Sequence, residues 1–224
     1  MSEIKILELE EANSLTNDEE AAELRDQLKD MGVFMLNVMG GAGSGKTELI
    51  RQTAARLSGA FRMGCLCTDL DTTLDAQRLA GVCDHVIQFH TGGMWPYVAA
   101  EGSRLGLMEL ITEDVNVVLL ENLGVLISAA AWDTGATMNI AVLSAMDGAD
   151  LPLKYPYLFA MCDAVVICGM DTAPAVGFDE ARCRANLASI NDAVPVFAVS
   201  NTTGQGMEEW IGWLNEHIRG YLKG

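Results

Sequence analysis

Residues 33–57 read VFMLNVMGGAGSGKTELIRQTAARL, and this segment predicts the fold. Its first seven residues form an apolar run of strand length, and its last ten have helical spacing. Between them lies the pattern G-x-x-x-x-G-K-[ST], formed by Gly40, four further residues, Gly45, Lys46 and Thr47. The flanking strand and helix favour a phosphate-binding loop over a Gly-rich turn that matches the pattern by chance.

Such a loop binds phosphate through its backbone. Glycines let the chain curl so that successive N–H groups point at phosphate oxygens, and the helix dipole adds positive potential there. We expect Lys46 to neutralise the β- and γ-phosphates of a nucleotide and the Thr47 hydroxyl to ligate Mg²⁺. The expected nucleotide-binding residues of the loop are Gly41, Ala42, Gly43, Ser44, Gly45, Lys46 and Thr47.

Composition and charge narrow the class of protein. The chain has 224 residues, of which 50% are hydrophobic, so it can bury a sizeable core. Because there is no apolar run of 18 residues and no secretion signal, we expect no membrane span and a cytoplasmic protein. The six cysteines then indicate free thiols. The net charge of −17 argues against nucleic acid as a partner, because phosphate backbones are repelled.

Strand and helix signals alternate along the chain. We predict strands at 33–39, 61–67, 84–88, 115–121, 139–145, 163–168 and 195–199. We predict helices from residue 16 or 17 to residue 29 and at 46–58, about 74–80, about 96–112, 178–190 and 206–222. This order predicts an α/β three-layer sandwich with a mostly parallel, doubly wound sheet. We expect an acidic N-terminal segment with a helix over residues 1–30 and a P-loop domain over residues 31–224.

Carboxylates follow two of the predicted strands. Asp69, Asp71 and Asp75 come after the second strand, where an acid can contact Mg²⁺ or orient an attacking water, or can cap a helix. Glu121 ends the fourth strand and is a candidate second anchor for Mg²⁺, and Gly124 follows in a candidate switch loop. Since ligands of such sheets bind beyond the carboxyl ends of the strands, we expect Asp69 and Glu121 to lie near the loop.

Several segments together resemble one family. The stretches GSGKT, TDLDTTLDAQR, LLENLGVL, DLPLKYPYLFAMCDAVVI and VSNTTGQGMEEWIGWL stand in the order found in the hydrogenase and urease nickel-insertion GTPases of the HypB/UreG type. The resemblance implies a P-loop GTPase of the SIMIBI type that dimerises on GTP, with a metal site at the dimer interface. It implies that Thr47, Asp69 and Glu121 surround Mg²⁺, and that Lys154 lies near the nucleotide or the dimer contact.

The base-recognition motif departs from the family pattern N-K-x-D. Here Cys168 and Gly169 stand in place of the amide and the lysine, whereas Asp171 keeps the carboxylate that accepts both N–H groups of the guanine edge. Each lost hydrogen bond is worth about 0.5–1.5 kcal/mol, so we expect weaker or less selective guanine binding. The later residues Ser200, Asn201 and Thr202 match the family's base-contacting loop and are expected to compensate in part.

The family's nickel or zinc ligands are also replaced. Trp95 and Pro96 stand where a Cys-His pair is expected, and Ser128 and Ala129 stand where Cys-Pro is expected. Since neither Trp nor Pro ligates a metal, we do not predict the family's metal site. Met94 and Trp95 indicate an apolar contact surface, or Trp95 packs over the following helix.

The cysteines leave another possibility open. Cys65 and Cys67 should face the same side of a strand, because they are two residues apart. Cys67, Cys168 and His90 should each lie at the carboxyl end of a strand, near the nucleotide. A soft-metal or redox site could be built from these residues. Burial of cysteine as a small core residue is the simpler interpretation.

These inferences predict a GTP-binding switch that hydrolyses GTP slowly and assists maturation or assembly of a metalloenzyme. Lys46, Asp69 and Glu121 are the expected catalytic residues, Mg²⁺ is the expected cofactor, and a homodimer and a metalloenzyme or its maturation factors are the expected partners. The switch loops contain no obvious arginine finger. An ATPase of the same fold and a nucleotide-gated scaffold with negligible hydrolysis are the alternatives. A small-molecule or nucleotide kinase is disfavoured because no arginine-bearing lid is found.

Overall fold

A computed structural model describes residues 4–8, 16–92, 97–111 and 114–224, and these build one eight-stranded sheet with helices on both faces. The strands are β1 (Ile4–Glu8), β2 (Phe34–Gly40), β3 (Met63–Asp69), β4 (His85–His90), β5 (Val117–Glu121), β6 (Met138–Ser144), β7 (Ala164–Cys168) and β8 (Val196–Ala198). Their spatial order is β1-β4-β3-β5-β2-β6-β7-β8, and every described pairing is parallel.

Ten α-helices lie within the described residues. They are α1 (Asn17–Met31), α2 (Lys46–Leu57), α3 (Leu74–Leu79), α4 (Ala100–Ile111), α5 (Leu126–Ala131), α6 (Leu151–Lys154), α7 (Pro156–Met161), α8 (Ala173–Val176), α9 (Glu180–Ala188) and α10 (Met207–Lys223). Among these helices none is long and apolar enough to cross a membrane.

The helices form two layers around the sheet. Side chains of α2, α3 and α10 pack on one face, together with Leu36 and Val38 of β2. Side chains of α1, α4, α5, α7 and α9 pack on the other face, where Met35 and Met39 of β2 point. Since all seven residues of β2 are buried, its continuous apolar run reflects coverage on both faces. The predicted three-layer sandwich is confirmed.

The N-terminal segment contains a strand that the sequence did not predict, in addition to the expected helix. Its residues 4–8 form β1, which pairs in parallel with β4 at the edge of the sheet. The five-residue strand carries a weak apolar signal, because an edge strand buries only part of its surface and Ile6 is exposed. The predicted helix is present as α1, which ends at Gly32 in the left-handed conformation.

The sequence did not predict several short helices. The candidate switch loop after Glu121 contains α5. The PLKYP stretch, Pro152 to Pro156, covers most of α6, and its last residue begins α7. Helices of four to six residues leave too few turns for a periodic apolar pattern. The seven predicted strands are all present, with bounds shifted by up to two residues.

Candidate nucleotide-binding site

A cleft of about 380 Å³ opens at the carboxyl edge of the sheet, beyond the ends of β2, β3 and β5. Strand order explains its position, because β5 lies between β2 and β3 and so brings three loops together. Its lining residues are Ala42, Gly43, Gly45, Lys46, Thr47, Glu48, Thr68, Asp69, Asp75, Arg78, Glu121, Asn122, Leu123 and Gly124.

The phosphate-binding loop is held in shape by its glycines. Gly43 and Gly45 have φ angles of 78° and 96°, which favour glycine. A Cβ at Gly40 would lie 2.5 Å from the Val142 carbonyl oxygen, so only glycine fits where β2 turns into the loop. Gly45 precedes α2, whose N-terminus therefore faces the cleft.

Lys46 is buried at the base of this loop. Its Nζ donates hydrogen bonds of 3.0 Å to the carbonyl oxygens of Gly40 and Gly41. Burial lowers the pKa of Lys46, while the field of Glu121 acts in the opposite direction. A phosphate entering the cleft offers this ammonium group a charged acceptor in place of two neutral carbonyls.

Thr47 and Glu121 meet across the cleft. The Thr47 hydroxyl donates to Glu121 Oε1 at 2.5 Å, and Glu121 Oε2 is buried without a hydrogen-bond partner. Burial raises the pKa of Glu121 to about 7, although Thr47 and Lys46 act against the rise. An orphaned carboxylate oxygen beside a hydroxyl fits a hard divalent cation such as Mg²⁺, which these two residues would hold.

Asp69 lines the same cleft from the end of β3. Its carboxylate accepts a hydrogen bond from the backbone N–H of Leu70 at 2.6 Å and another from the Thr72 hydroxyl. Of the other two predicted carboxylates, Asp75 also lines the cleft, whereas Asp71 is exposed outside it. The side chain of Asp69 is therefore orientated by its own loop.

Two features tie the loop after β5 to the phosphate-binding loop. A Cβ at Gly124 would lie 2.9 Å from the backbone nitrogen of Ala42, so glycine allows the close approach. Beneath it, Asn122 donates to Asn37 at 3.1 Å, and Asn37 donates to Asn139 at 2.8 Å. This asparagine chain crosses β2 and reaches β6, and the sequence alone does not reveal it because its members are far apart along the chain.

The residues predicted to bind the base form a second group beside Gly45. Asp171 accepts a hydrogen bond of 2.6 Å from the Ser200 hydroxyl, which joins the two predicted base loops. The Asn201 amide lies 3.5 Å from the Gly45 carbonyl oxygen. A Cβ at Gly45 would lie 3.2 Å from Cys168 Cβ, so Cys168 packs against the phosphate-binding loop.

Some predicted residues do not line the cleft. Ser44 is buried, and its hydroxyl oxygen would lie 2.7 Å from a Cβ at Gly40. Gly41 contributes its carbonyl oxygen to Lys46. Asp171 and Thr202 are exposed on the base side, and Lys154 is exposed on α6.

Two charged residues of the cleft lining were not predicted as site residues from the sequence. Glu48 and Arg78 both line the cleft, although neither belongs to the phosphate-binding pattern or ends a strand. Glu48 lies in the first turn of α2, and Arg78 lies in the last turn of α3. Their positions follow from how these helices pack rather than from any spacing in the chain.

The cysteines are core residues. Cys65 and Cys67 face the same side of β3, as predicted, with 3.7 Å between their sulfur atoms, and both are buried. Within the described ranges, no group of three or more His, Cys, Asp or Glu side chains is arranged to hold a metal ion.

The predicted replacements of the family's metal ligands fall on different parts of the chain. Met94, Trp95 and Pro96 lie outside the described residues. Ser128 and Ala129 lie on α5, where the Ser128 hydroxyl donates to the Val125 carbonyl oxygen and Ala129 is buried.

Comparisons with known proteins agree with this geometry. A family model described as "CobW/HypB/UreG, nucleotide-binding domain" matches residues 34–198. The hydrogenase maturation factor HypB of Rhizobium leguminosarum bv. viciae is 34% identical over 214 residues, covering 96% of this chain and 71% of that protein. The structure of HypB from Archaeoglobus fulgidus has a TM-score of 0.83 at 28% identity, covering 91% of this chain and 99% of that one. That of HypB from Helicobacter pylori in complex with nickel has a TM-score of 0.84 at 28% identity, covering 92% and 96%.

Proposed function

The chain belongs to the CobW/HypB/UreG family, and on this basis we propose that it is a GTP-binding switch that hydrolyses GTP slowly during maturation of a metalloenzyme. Relatives named hydrogenase maturation factor HypB match most of the chain at 31–34% identity. They support a role among maturation proteins, with a hydrogenase-type enzyme as the client. We propose a homodimer as the working form.

One observation carries the nucleotide-binding part of the proposal. Lys46, Thr47 and Glu121 line one cleft at the N-terminus of α2, and Glu121 keeps a buried carboxylate oxygen without a partner. Backbone N–H groups and Lys46 would hold the phosphates of GTP. Mg²⁺, when bound, would supply charge neutralisation between the phosphates, with Thr47 and Glu121 as its protein ligands.

The hydrolytic part assigns the acid at the end of β3. Asp69 would orient the water that attacks the terminal phosphate, since its carboxylate lines the cleft and is fixed by Leu70 and Thr72. Lys46 and the loop amides would stabilise the charge that develops on the phosphate oxygens. On the base side, Asp171 would accept the two N–H groups of guanine, which adenine does not offer.

Nickel transport is a separate activity from nucleotide binding. One structural relative is described in complex with nickel, but Trp95 and Pro96 replace the Cys-His pair that the family resemblance leads us to expect. We propose that this chain supplies the nucleotide-dependent step of maturation without carrying nickel on the family's site. Equilibrium dialysis against Ni²⁺ and Zn²⁺ tests this: binding of either ion at one per dimer or more, at micromolar concentration, contradicts it.

Nucleotide titration with Mg²⁺ tests the central proposal. We expect the wild-type chain to bind GTP more tightly than ATP, and Lys46→Ala to weaken GTP binding by about tenfold or more, because a charge-assisted contact is worth about 1.5–3 kcal/mol. The matched control is Lys29→Ala, which removes an exposed lysine of α1. Equal binding by Lys46→Ala and wild type contradicts the phosphate site, and ATP binding as tight as GTP contradicts the guanine assignment.

Phosphate release separates an enzyme from a nucleotide-gated scaffold. We expect slow release by the wild-type chain and a further drop of about 10²-fold in Asp69→Ala. Release at the same rate by both proteins contradicts the role of Asp69. A wild-type chain that binds GTP without releasing phosphate favours the scaffold.

A further inference from the structure

Arg78 lies in the nucleotide cleft without an assigned role. It belongs to α3, which follows the loop after Asp69, and it lines the same cleft as Lys46 and Thr47. Its side chain is 66% exposed, so the guanidinium is accessible to a ligand in the cleft and its removal leaves the core intact. No part of the site described above uses it.

The side chains that line the cleft carry more negative than positive charges. Its described lining includes four carboxylates, those of Glu48, Asp69, Asp75 and Glu121, but only two cations, Lys46 and Arg78. Lys46 is buried at the base of its loop and is already assigned to the phosphates there, so Arg78 is the second positive side chain of this lining. A nucleoside triphosphate adds further negative charge, which makes the position of this guanidinium important.

A neighbouring acid positions Arg78 beside the cleft. Its Nη1 lies 3.1 Å from Asp75 Oδ1, three residues earlier on the same helix. Exposed pairs of this kind contribute little to stability, so a phosphate can displace Asp75 from the guanidinium at small cost.

Arg78 shares the cleft with acids of two other elements. Glu48 of α2 and Glu121 of β5 line the same space as Arg78 of α3. The guanidinium therefore borders the space that the phosphates would occupy.

We propose that Arg78 is a further catalytic residue, an arginine supplied by the same chain that leaves Asp75 and binds the terminal phosphate of GTP during hydrolysis. This rests on the proposed function. In the reaction, the oxygen of water forms a bond to the γ-phosphorus, and the bond from that phosphorus to the bridging oxygen breaks. The electron pair stays on the departing diphosphate, and one proton of the water passes to solvent. Arg78 keeps its protons and donates hydrogen bonds to the phosphate oxygens as their charge redistributes.

Three variants test the assignment: Arg78→Ala, Arg78→Lys and the control Arg104→Ala. Arg104 forms an equivalent pair with Glu101 three residues earlier, on α4 and outside the nucleotide cleft. Single-turnover hydrolysis is measured with the protein in excess over GTP, and GDP affinity is measured separately. We expect Arg78→Ala to slow hydrolysis by about 10²-fold or more with GDP affinity changed by less than about threefold. Arg78→Lys should not restore the rate, because lysine lacks the planar fork, and Arg104→Ala should match wild type.

A second measurement does not depend on turnover. Aluminium fluoride bound beside GDP imitates the γ-phosphate in the transition state of hydrolysis. We expect aluminium fluoride to slow the dissociation of fluorescent GDP from the wild-type chain but not from Arg78→Ala. Hydrolysis and trapping by Arg78→Ala at wild-type levels overturn the assignment. So does a loss of GDP affinity as large as the loss of rate, which makes Arg78 a ground-state binding residue. If the wild-type chain neither hydrolyses GTP nor traps GDP, the proposed function and this inference both fail, whereas the other outcomes leave the proposed function intact.

Discussion

Glu121 makes the stability of the chain depend on pH. Burial raises the pKa of Glu121 to about 7 in the folded chain, against 4.5 ordinarily, so between these values the folded chain binds a proton that the unfolded chain does not. The free energy of unfolding should therefore fall as pH rises through this window, and the loss should persist above pH 7. Mg²⁺ binding below that pH should release this proton.

Glu121→Gln should remove that dependence. Without Mg²⁺ we expect the variant to be more stable than wild type at about pH 8, by on the order of 2 kcal/mol, and the difference to vanish towards about pH 4. Urea unfolding across this range measures it. Glu48→Gln is the control with the opposite sign, because the hydrogen bond from Arg51 lowers the pKa of Glu48. A Glu121→Gln variant no more stable than wild type at the alkaline end contradicts the prediction.

Asp171 is expected to determine which base the site selects. In Asp171→Asn the side chain can donate an N–H at a position where the carboxylate would accept a hydrogen bond from guanine. The amide therefore fits the C2 carbonyl of xanthine better than the C2 amino group of guanine. We expect GTP binding to weaken by about tenfold or more and XTP binding to strengthen. Competition with a fluorescent nucleotide measures both, with exposed Asp192→Asn as the control. Unchanged GTP binding removes Asp171 from the base site.

The residues of the cleft differ in how far sequence alone predicts them. Lys46 and Thr47 follow from spacing within one loop, and Asp69 and Glu121 follow from the rule that chemistry lies at the ends of parallel strands. Arg78 gives no such signal, because its place in the cleft depends on how α3 packs against the rest of the chain.

Among the elements, buried strands are the easiest to predict. β2 and β5 are buried along their whole length, so their sequences are continuous apolar runs. The edge strand β1 has no such run, and α5 to α8 are each shorter than two turns, so neither kind of element gives a periodic signal. These short helices lie in the connections that follow β5, β6 and β7.

The docking of α10 on α2 provides a prediction for a pair of elements. Trp210 is 1% exposed, and its Nε1–H donates to the Thr53 hydroxyl at 3.0 Å. Trp210→Phe should destabilise the chain by about 1–3 kcal/mol, because it leaves a buried hydroxyl unpaired and removes packing atoms. Urea unfolding of Thr53→Val and of the double variant completes a double-mutant cycle. We expect the free energy of unfolding to fall less in the double variant than the sum of the falls in the two single variants. Strict additivity means that the hydrogen bond adds nothing to the docking.

At the scale of the whole molecule, the net charge determines how thermal stability responds to salt. The chain carries −17, so its acidic surface repels itself. Raising NaCl from about 10 mM to about 150 mM shortens the Debye length from about 30 Å to about 8 Å, and we expect the melting temperature to rise. Choline chloride should act equally, because screening does not depend on the cation. A fall in melting temperature with either salt contradicts the prediction.

The six thiols give the molecule a built-in reporter of its own motions. Because every cysteine is buried, a bulky sulfhydryl reagent can react only when the surrounding structure opens. The cysteines lie in the hydrophobic clusters on both faces of the sheet, so the labelling rate at each one measures how often that region opens. Cys168 packs against Gly45, and its labelling therefore records opening at the phosphate-binding loop without any engineered probe.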